Sequence, residues 1–370
     1  MKPYIPDELP LQEIDFKRLI KLVGDANTEL ARFDGLVQGM LNAELLLSPL
    51  MLEEAVLSSK IEGTQATLTD VLQHEAGMKK PEHLRHDIQE ILNYRDAMQF
   101  SKLSLESRPI SLGFIRELHQ MLMHSVRGVD KSPGKFRETQ NYIARGGYSI
   151  ENATFIPPDP VRLMTDLEAF QRYLATDDVE VLIQTAVVHA QFELLHPFLD
   201  GNGRIGRLLI PLFLFQKKKL SQPTFYISEY LERNRDTYYF RLRNISEKGD
   251  WNGWCEFFLQ AIVAQARSNS EKVKRIIHLY NEMKGVIYQI TRSGFSIQIL
   301  DSLFNRPIFT SSEFSESTGI PLKNVSRILK LLKDQSIIQE AESAKGTLPA
   351  QFRYIDLIKL VDSPYSSFFE

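Results

Sequence analysis

The side chains best suited to chemistry lie together in one run, HPFLDGNGRIGR, from His196 to Arg207. At about one in twenty per position, a fixed pattern of its eight most telling residues recurs by chance in roughly one window in 10^10. Gly201 and Gly203 free the backbone to turn and to approach a ligand. The helix expected immediately after them offers unpaired N–H groups and the positive end of its dipole, which is a nest for an anion. Arg204 and Arg207 add forked guanidinium donors and Asn202 adds an amide, a set that suits an oligophosphate better than a single carboxylate. The expected ligand is a nucleotide. Asp200, set among this positive charge, has the right chemistry to hold Mg²⁺, which prefers one or two carboxylates plus phosphate oxygens. His196, at the end of the preceding helix, is placed to act as a general base, a neutral imidazole taking the proton of a hydroxyl as it attacks phosphorus.

The elements that must position these residues are mostly helical. A helical pattern runs from Asp25 to about Lys80, with Gly63 as a stop after MLEEAVLSSKIEG and a second helix from Thr67 or Thr69 to Gly77. EHLRHDIQEILNYRDAMQFS and the segment Ile115 to Met123 continue in the same style. Around Gly146 and Gly147, β-branched and aromatic residues flank a turn, a hairpin signal. Asp177 and Asp178 offer N-caps for a helix through VLIQTAVVHAQFELL that ends near His196, because Pro197 disfavours helix in the residue before it. RIGRLLIPLFLFQKKK resumes the helical pattern, as does Tyr226 to Gln265, which runs into the polar ARSNSEKVKR, read as a helical linker. Three short helices, Ser296 to Phe304, Ser311 to Ser317 and Leu322 to Gln335, then precede two strands, IIQEA and QFRYI, around the turn-like SAKGTLPA. That order resembles a winged helix-turn-helix.

Composition narrows the function classes. With 44 Lys plus Arg against 47 Asp plus Glu, the net charge is -3, so no global field draws the chain to nucleic acid or anionic lipid. The longest apolar run, LLIPLFLF from Leu208 to Phe215, is far shorter than the roughly 20 residues of a membrane span. The N-terminus has no secretory pattern, and the single Cys255 excludes an intrachain disulfide; a cytoplasmic location and no membrane contact are expected.

The run from His196 to Arg207 resembles the signature of the Fic family at every position that the family pattern fixes. That resemblance implies a mainly α Fic-type helical core with a β-hairpin flap, here followed by the winged helix-turn-helix. It implies a protein adenylyltransferase that moves AMP from ATP, with Mg²⁺, to a hydroxyl side chain of a target protein. Carried onto this sequence, His196 is the base and Asp200 the Mg²⁺ holder. Gly201, Asn202, Gly203 and Arg204, with Ile205 and Gly206, form the nucleotide cradle, Arg207 holds the γ-phosphate, and Phe198 anchors the loop in the core. The related Doc proteins carry lysine where Gly203 stands and phosphorylate instead.

Upstream, SSKIEG resembles the inhibitory motif of the family, with Ser58, Glu62 and Gly63 as its fixed members. Glu62 near a helix end has the reach to pair with Arg207 and remove the γ-phosphate's partner; the plain alternative is a solvated glutamate before a capping glycine. NYIARGGYSIENATFIPP resembles the flap that pairs with a target segment, with Tyr142 and Ile143 as contacts, or else is an ordinary hairpin. Tyr238 and Tyr239 match an adenosine-contacting pair in the family, against the alternative of core aromatics. The expected division is an N-terminal helical region with the inhibitory helix (1–105), a catalytic core (106–266), a helical linker (267–290) and the winged helix-turn-helix (291–370). Expected partners are a target protein and the chain itself as substrate, with a homodimer and DNA contact through Lys323, Arg327, Lys330 and Lys333 left open. Two other readings of the same residues are removal of AMP from a modified target and a nucleotide-sensing DNA-binding regulator.

Overall fold

The computed structural model describes residues 2–124, 131–143, 153–178, 180–342 and 350–362. Two compact units organise it: one gathers Met1–Asp34, Leu57–Thr64 and Gln89–Arg267, the other Gly35–Val56, Gln65–Ile88 and Ser268–Glu370. The segments of the two units interleave in the chain, because helices α1 (Phe16–Gln38), α2 (Ala43–Ile61), α4 (Glu82–Ser104) and α11 (Trp251–Thr291) each run through both sets.

The first unit is built around α7 (Val181–Leu195), whose residues are buried on nearly every side. A helix apolar all round belongs at the centre of a core, and α6 (Pro160–Ala175), α8 (Asn202–Gln216) and α10 (Arg235–Lys248) pack against it. Helix α5 (Leu112–Leu122) packs on α8, and α9 (Ser228–Arg233) precedes α10. Trp254, fully buried on α11, donates its indole N–H to the Ala186 carbonyl at 2.8 Å, tying α11 to the middle of α7. Cys255 beside it is buried, as a core filler should be. The cap of α7 is Glu180, whose carboxylate accepts from the Leu182 and Ile183 N–H groups. Asp178, one of the expected caps, is instead taken by the Tyr173 hydroxyl. The stretch from Tyr226 to Gln265 is broken at Gly249, whose φ of 66° closes α10.

The second unit holds α3 (Leu68–Glu75), α12 (Ser296–Asn305), α13 (Ser311–Thr318), α14 (Leu322–Asp334) and α15 (Ile355–Val361). A three-stranded antiparallel sheet in the order β1-β3-β2 joins β1 (Ile308–Thr310), β2 (Gln339–Glu342) and β3 (Gln351–Arg353). Strand β1 and helix α15 have no counterpart in the sequence reading. The expected turn between β2 and β3 lies mostly outside the described residues. A full capping box at Thr67 and Asp70 starts α3 where the sequence places it. Helix α3 packs on β1, and Gln351 donates to the Ala76 carbonyl at 2.8 Å. Residues 267–290, expected to be helical, lie within α11, with Val273, Ile276, Met283 and Ile287 buried. On α14, Val325, Ile328, Leu329 and Leu332 face inward, and Lys333 is paired with Glu340.

Phe309 is the centre of this second core, 1% exposed and stacked on Phe314 at 5.2 Å and Phe352 at 6.0 Å. Phe309→Ala should cost about 3–5 kcal/mol, the range for a fully buried phenylalanine truncation. Urea unfolding followed by far-UV circular dichroism checks it; an unchanged midpoint would remove Phe309 from the core.

Candidate active site

Helix α7 ends at His196, which takes the left-handed conformation (φ 46°, ψ 59°). Three consecutive carbonyls at that end are held by one buried residue. Arg137 bonds the Leu195 carbonyl through Nη2 and the His196 carbonyl through Nε, while its own backbone N–H donates to the Pro197 carbonyl. The His196 Nδ1–H donates to the Glu193 carbonyl at 3.2 Å, which leaves Nε2 as the free, basic nitrogen. Burial pulls the His196 pKa down to about 4, so the ring is neutral at physiological pH.

The turn from Pro197 to Gly201 is then locked from inside. The Asn202 amide accepts from the Phe198 N–H and donates to the Phe198 carbonyl, both at 2.8 Å. Phe198 is fully buried and lies flat against the His119 ring, 3.7 Å between centroids. His119 accepts the Gly134 N–H at Nδ1 and donates from Nε2 to the Asp200 carbonyl. Phe198 thus anchors the loop as expected, while the Asn202 side chain serves the turn and leaves a ligand only its backbone N–H.

Gly201 begins α8 with φ 76°, so the backbone freedom expected of it is used. Gly203 is different: it lies inside the first turn of α8, and what it supplies is space. A Cβ there would stand 2.1 Å from Glu62 Oε1. Ile205 is fully buried and does not line the cavity, and the Gly206 carbonyl is bound by His189. Neither contributes a side chain to a ligand.

The two arginines have different partners. Arg204 is buried against Glu90 on α4, Nη1 to Oε2 at 3.0 Å, and stands 3.9 Å from Asp200. Arg207 is gripped by the end of α2 and the residue that follows it: Nε donates to Ser58 Oγ at 2.9 Å, and Nη2 donates to the Ser58 carbonyl at 2.8 Å and Glu62 Oε1 at 2.7 Å. Four residues apart on a helix, Ser58 and Glu62 lie one above the other, which is what lets one guanidinium meet both. Burial opposes ionisation of both partners. The Arg207 charge more than offsets it for Glu62, whose pKa is held below the ordinary range, and Glu62 in turn holds Arg207 above its own. Gly63 follows with φ 106° and turns the chain away.

These groups open on a cavity of about 720 Å³ lined by Glu62, Glu193, His196, Gly203 and Arg207, and further by Tyr142, Ile143, Tyr239, Leu242 and Ser246. The volume lies in the range of nucleotide-sized sites. Tyr142 and Ile143 are half-exposed, and Ile143 forms an antiparallel bridge with Phe155. The rest of the expected hairpin, 144–152, lies outside the described residues. Tyr238 is fully buried yet also borders the cavity: its hydroxyl donates to His189 Nε2 at 3.0 Å, and its ring packs on His189 and Trp254. Tyr239 keeps its ring toward the cavity, with the Arg235 guanidinium 6.0 Å above it. Asp200 is half-exposed, with Oδ1 accepting the Gly201 N–H. Among the described residues no three metal-ligating side chains converge.

Four contributors escape the sequence reading: His119, Arg137, Glu90 and Glu193. Each acts on a residue distant in the chain or through its backbone, so no local pattern marks it.

Comparison with known proteins agrees with this geometry. The Fic/DOC family N-terminal domain matches residues 20–101 and the Fic/DOC family domain residues 109–214. Curated relatives include the protein adenylyltransferase fic-1 of Caenorhabditis elegans, 30% identical over 148 residues that are 38% of this chain and 27% of that protein. The protein adenylyltransferase Fic of Drosophila erecta is 31% identical over 172 residues, 45% of this chain and 31% of that protein. The chain thus spans about a third or less of the length of these relatives. Among solved structures, a Fic family protein from Desulfovibrio desulfuricans shares the fold over 96% of this chain and 98% of its own, with a TM-score of 0.56 and 19% identity. A fragment of C. elegans Fic-1 (residues 134–508) matches with a TM-score of 0.52 and 21% identity over 71% of this chain and 73% of its own. Two matched family domains, one on each side of residue 105 and the second enclosing the whole run from His196 to Arg207, make this chain a member of the Fic/DOC family.

Proposed function

We propose that the chain is a protein adenylyltransferase, moving AMP from ATP to a Tyr, Thr or Ser hydroxyl of a target protein. The observation that carries this is His196: neutral, locked in orientation through Nδ1, with Nε2 free in a nucleotide-sized cavity beside the first turn of α8. That first turn supplies unpaired backbone N–H groups to the phosphates of ATP. The target hydroxyl oxygen attacks the α-phosphorus, its proton passes to His196 Nε2, and the bond from the α-phosphorus to the bridging oxygen breaks, releasing pyrophosphate. Two further supports are the family membership and the name protein adenylyltransferase borne by relatives about 30% identical over the matched region.

The donor set fits a magnesium ion that arrives with the nucleotide. Asp200 is a single half-exposed carboxylate, too few ligands for a resident ion but enough to complete a shell made largely of phosphate oxygens. Asp200 would hold such an ion, which would supply neutralisation of the charge on the phosphates. Tyr142 and Ile143, half-exposed at the cavity, are the positions against which a target segment aligns by backbone pairing. Tyr238 and Tyr239 both border the cavity, and Tyr239, the more exposed of the two, offers its ring to the adenosine. Three helices followed by two strands with a third alongside support the winged-helix reading of the C-terminal segment. The single cysteine, buried and needing no oxidising environment, is consistent with work in the cytoplasm.

Ser58 and Glu62 make this an inhibited enzyme. Both occupy the guanidinium that is to hold the γ-phosphate, so ATP has to displace Glu62 before its phosphates align. Each 1.4 kcal/mol of bias toward the paired state removes about tenfold of the competent fraction. Glu62→Gly should therefore raise auto-modification from α-labelled ATP by about ten- to a hundredfold, and Arg207→Ala in the same background should cancel the gain. A folded Glu62→Gly protein with unchanged or lower transfer would return Glu62 to a purely structural role. His196→Ala should abolish label transfer while ATP affinity, measured by titration, stays within about threefold, because the base acts on the hydroxyl. Parallel loss of both would mean that His196 only shapes the turn.

A further inference from the structure

Glu193 has no role in the chemistry above beyond its backbone carbonyl. Its side chain stands on α7 one turn before His196 and lines the same cavity. Its Oε1 is buried and has no hydrogen-bond partner among the described residues. The carboxyl occupies the space that a side chain on Gly206 would fill, with Oε1 2.1 Å and Cδ 3.0 Å from where that Cβ would be. Glu62 sits over Gly203 in the same manner. Three residues apart, the two glycines lie on one face of α8, one turn from each other. Two carboxyl groups therefore rest side by side on a bare strip of α8, with Arg207 as the nearby cation.

Two carboxyl groups that share a buried site raise one another's pKa, and the one without a hydrogen bond to the guanidinium is the one that stays protonated. Arg207 spends its Nε and Nη2 bonds on Ser58 and Glu62 and makes none to Glu193. Burial pushes the Glu193 carboxyl up to about 8, against the pull of Arg207 and with a contribution from the Glu62 charge. At neutral pH it is a carboxylic acid, with an O–H to donate in a site built for phosphate oxygens. Ionised, the same group would repel them.

We propose that Glu193 binds the nucleotide as a neutral carboxylic acid, its O–H donating a hydrogen bond to a phosphate oxygen of ATP. This rests on the adenylyltransferase reading and adds a second contact, from α7, to the backbone groups of α8. The absence of a side chain at Gly206 is what lets the carboxyl lie there.

Six groups near Glu193, namely Glu62, Arg207, His189, His196, Tyr238 and Tyr239, keep their charge state between pH 7 and 9. Glu62 on α2 is held below its ordinary range and Arg207 on α8 above its own. His189 and His196 on α7 are pulled by burial down to about 3 and about 4. On α10, burial pushes the Tyr239 hydroxyl up to about 12 and Tyr238 well above its ordinary value. Arg235, Asp236 and Arg243 also line the cavity. Since only the protonated carboxyl binds, affinity for ATP falls as pH rises through about 8.

Isothermal titration of the full chain with ATP and Mg²⁺ at pH 7 and pH 9 tests this, with His196→Ala in every sample so that nothing turns over. Glu193 protein should bind ATP about tenfold more weakly at pH 9 than at pH 7. Glu193→Gln, which keeps the shape and an N–H donor but cannot ionise, should bind equally at both, within about twofold of the pH 7 value. ATP binding that does not weaken at pH 9, or that weakens equally in Glu193→Gln, overturns the role of Glu193 and leaves the adenylyltransferase reading in place. No ATP binding at pH 7 in any sample overturns both. The Glu193 protein alone supplies the first comparison, so the inference stays exposed even if the Gln variant misfolds.

Discussion

Arg207 is 1% exposed, and a guanidinium so deeply buried has to be paired or the unit around it does not form. Much of the local architecture follows from that requirement. Helix α2 has to end where Ser58 and Glu62 reach the guanidinium from consecutive turns, and Ile61 between them is fully buried, which fixes the rotation of the helix. The backbone then has to leave at once, which Gly63 permits with φ 106°. Opposite, α8 has to present no side chain at Gly203, since a Cβ there would collide with the carboxylate. One ion pair thus dictates a helix end and a left-handed turn on one piece of chain and a missing side chain on another.

A second constraint concerns the turn between α7 and α8. A chain reversal with a left-handed His196 leaves helix-end carbonyls and loop N–H groups in a buried place, where each needs a partner. Arg137 takes the carbonyls, the Asn202 amide closes a ring with both backbone groups of Phe198, and His119 holds Asp200 while its ring stacks on Phe198. So much of the conspicuous motif is scaffold. What this turn leaves for a ligand, beside the guanidinium of Arg207, is the start of α8 and one imidazole nitrogen, held without freedom to move, and such fixed dipoles stabilise developing charge without reorganising at the moment of reaction.

Local signals were legible and long-range pairings were not. Thr67, Gly63 and the residue before Pro197 mark helix ends by rules that involve only neighbours, and all three hold in the structure. The four-residue spacing of Ser58 and Glu62 reads directly as one helix face. The partners Glu90 for Arg204 and Arg137 for the His196 carbonyl lie 114 and 59 residues away, and nothing in their own surroundings distinguishes them from surface charges. Gly203 is legible as a glycine but not in its purpose, because space for Glu62 exists only once α2 and α8 are packed. The interleaving of segments in the two units has the same origin: α3 joins β1 through apolar faces that carry no address in the sequence.

The two arginines of the motif are alike in the sequence and unlike in the fold, and the difference bears on how the site works. Glu90 is 9% exposed against Arg204, so separating that pair strands a carboxylate where water cannot reach it. Glu62 is 34% exposed against Arg207, and its face toward the cavity lets it move from the guanidinium into solvent at much smaller cost. Arg207 itself, fully buried, needs some anion at every moment, and a phosphate entering the cavity is the one that arrives with a ligand. Exchange of one anion for another at a fixed guanidinium keeps the buried charge balanced throughout, whereas simple opening of the pair would not. On the adenylyltransferase reading, Arg204 is therefore a strut and Arg207 a switch, and it is the unequal burial of their two glutamates that assigns those roles.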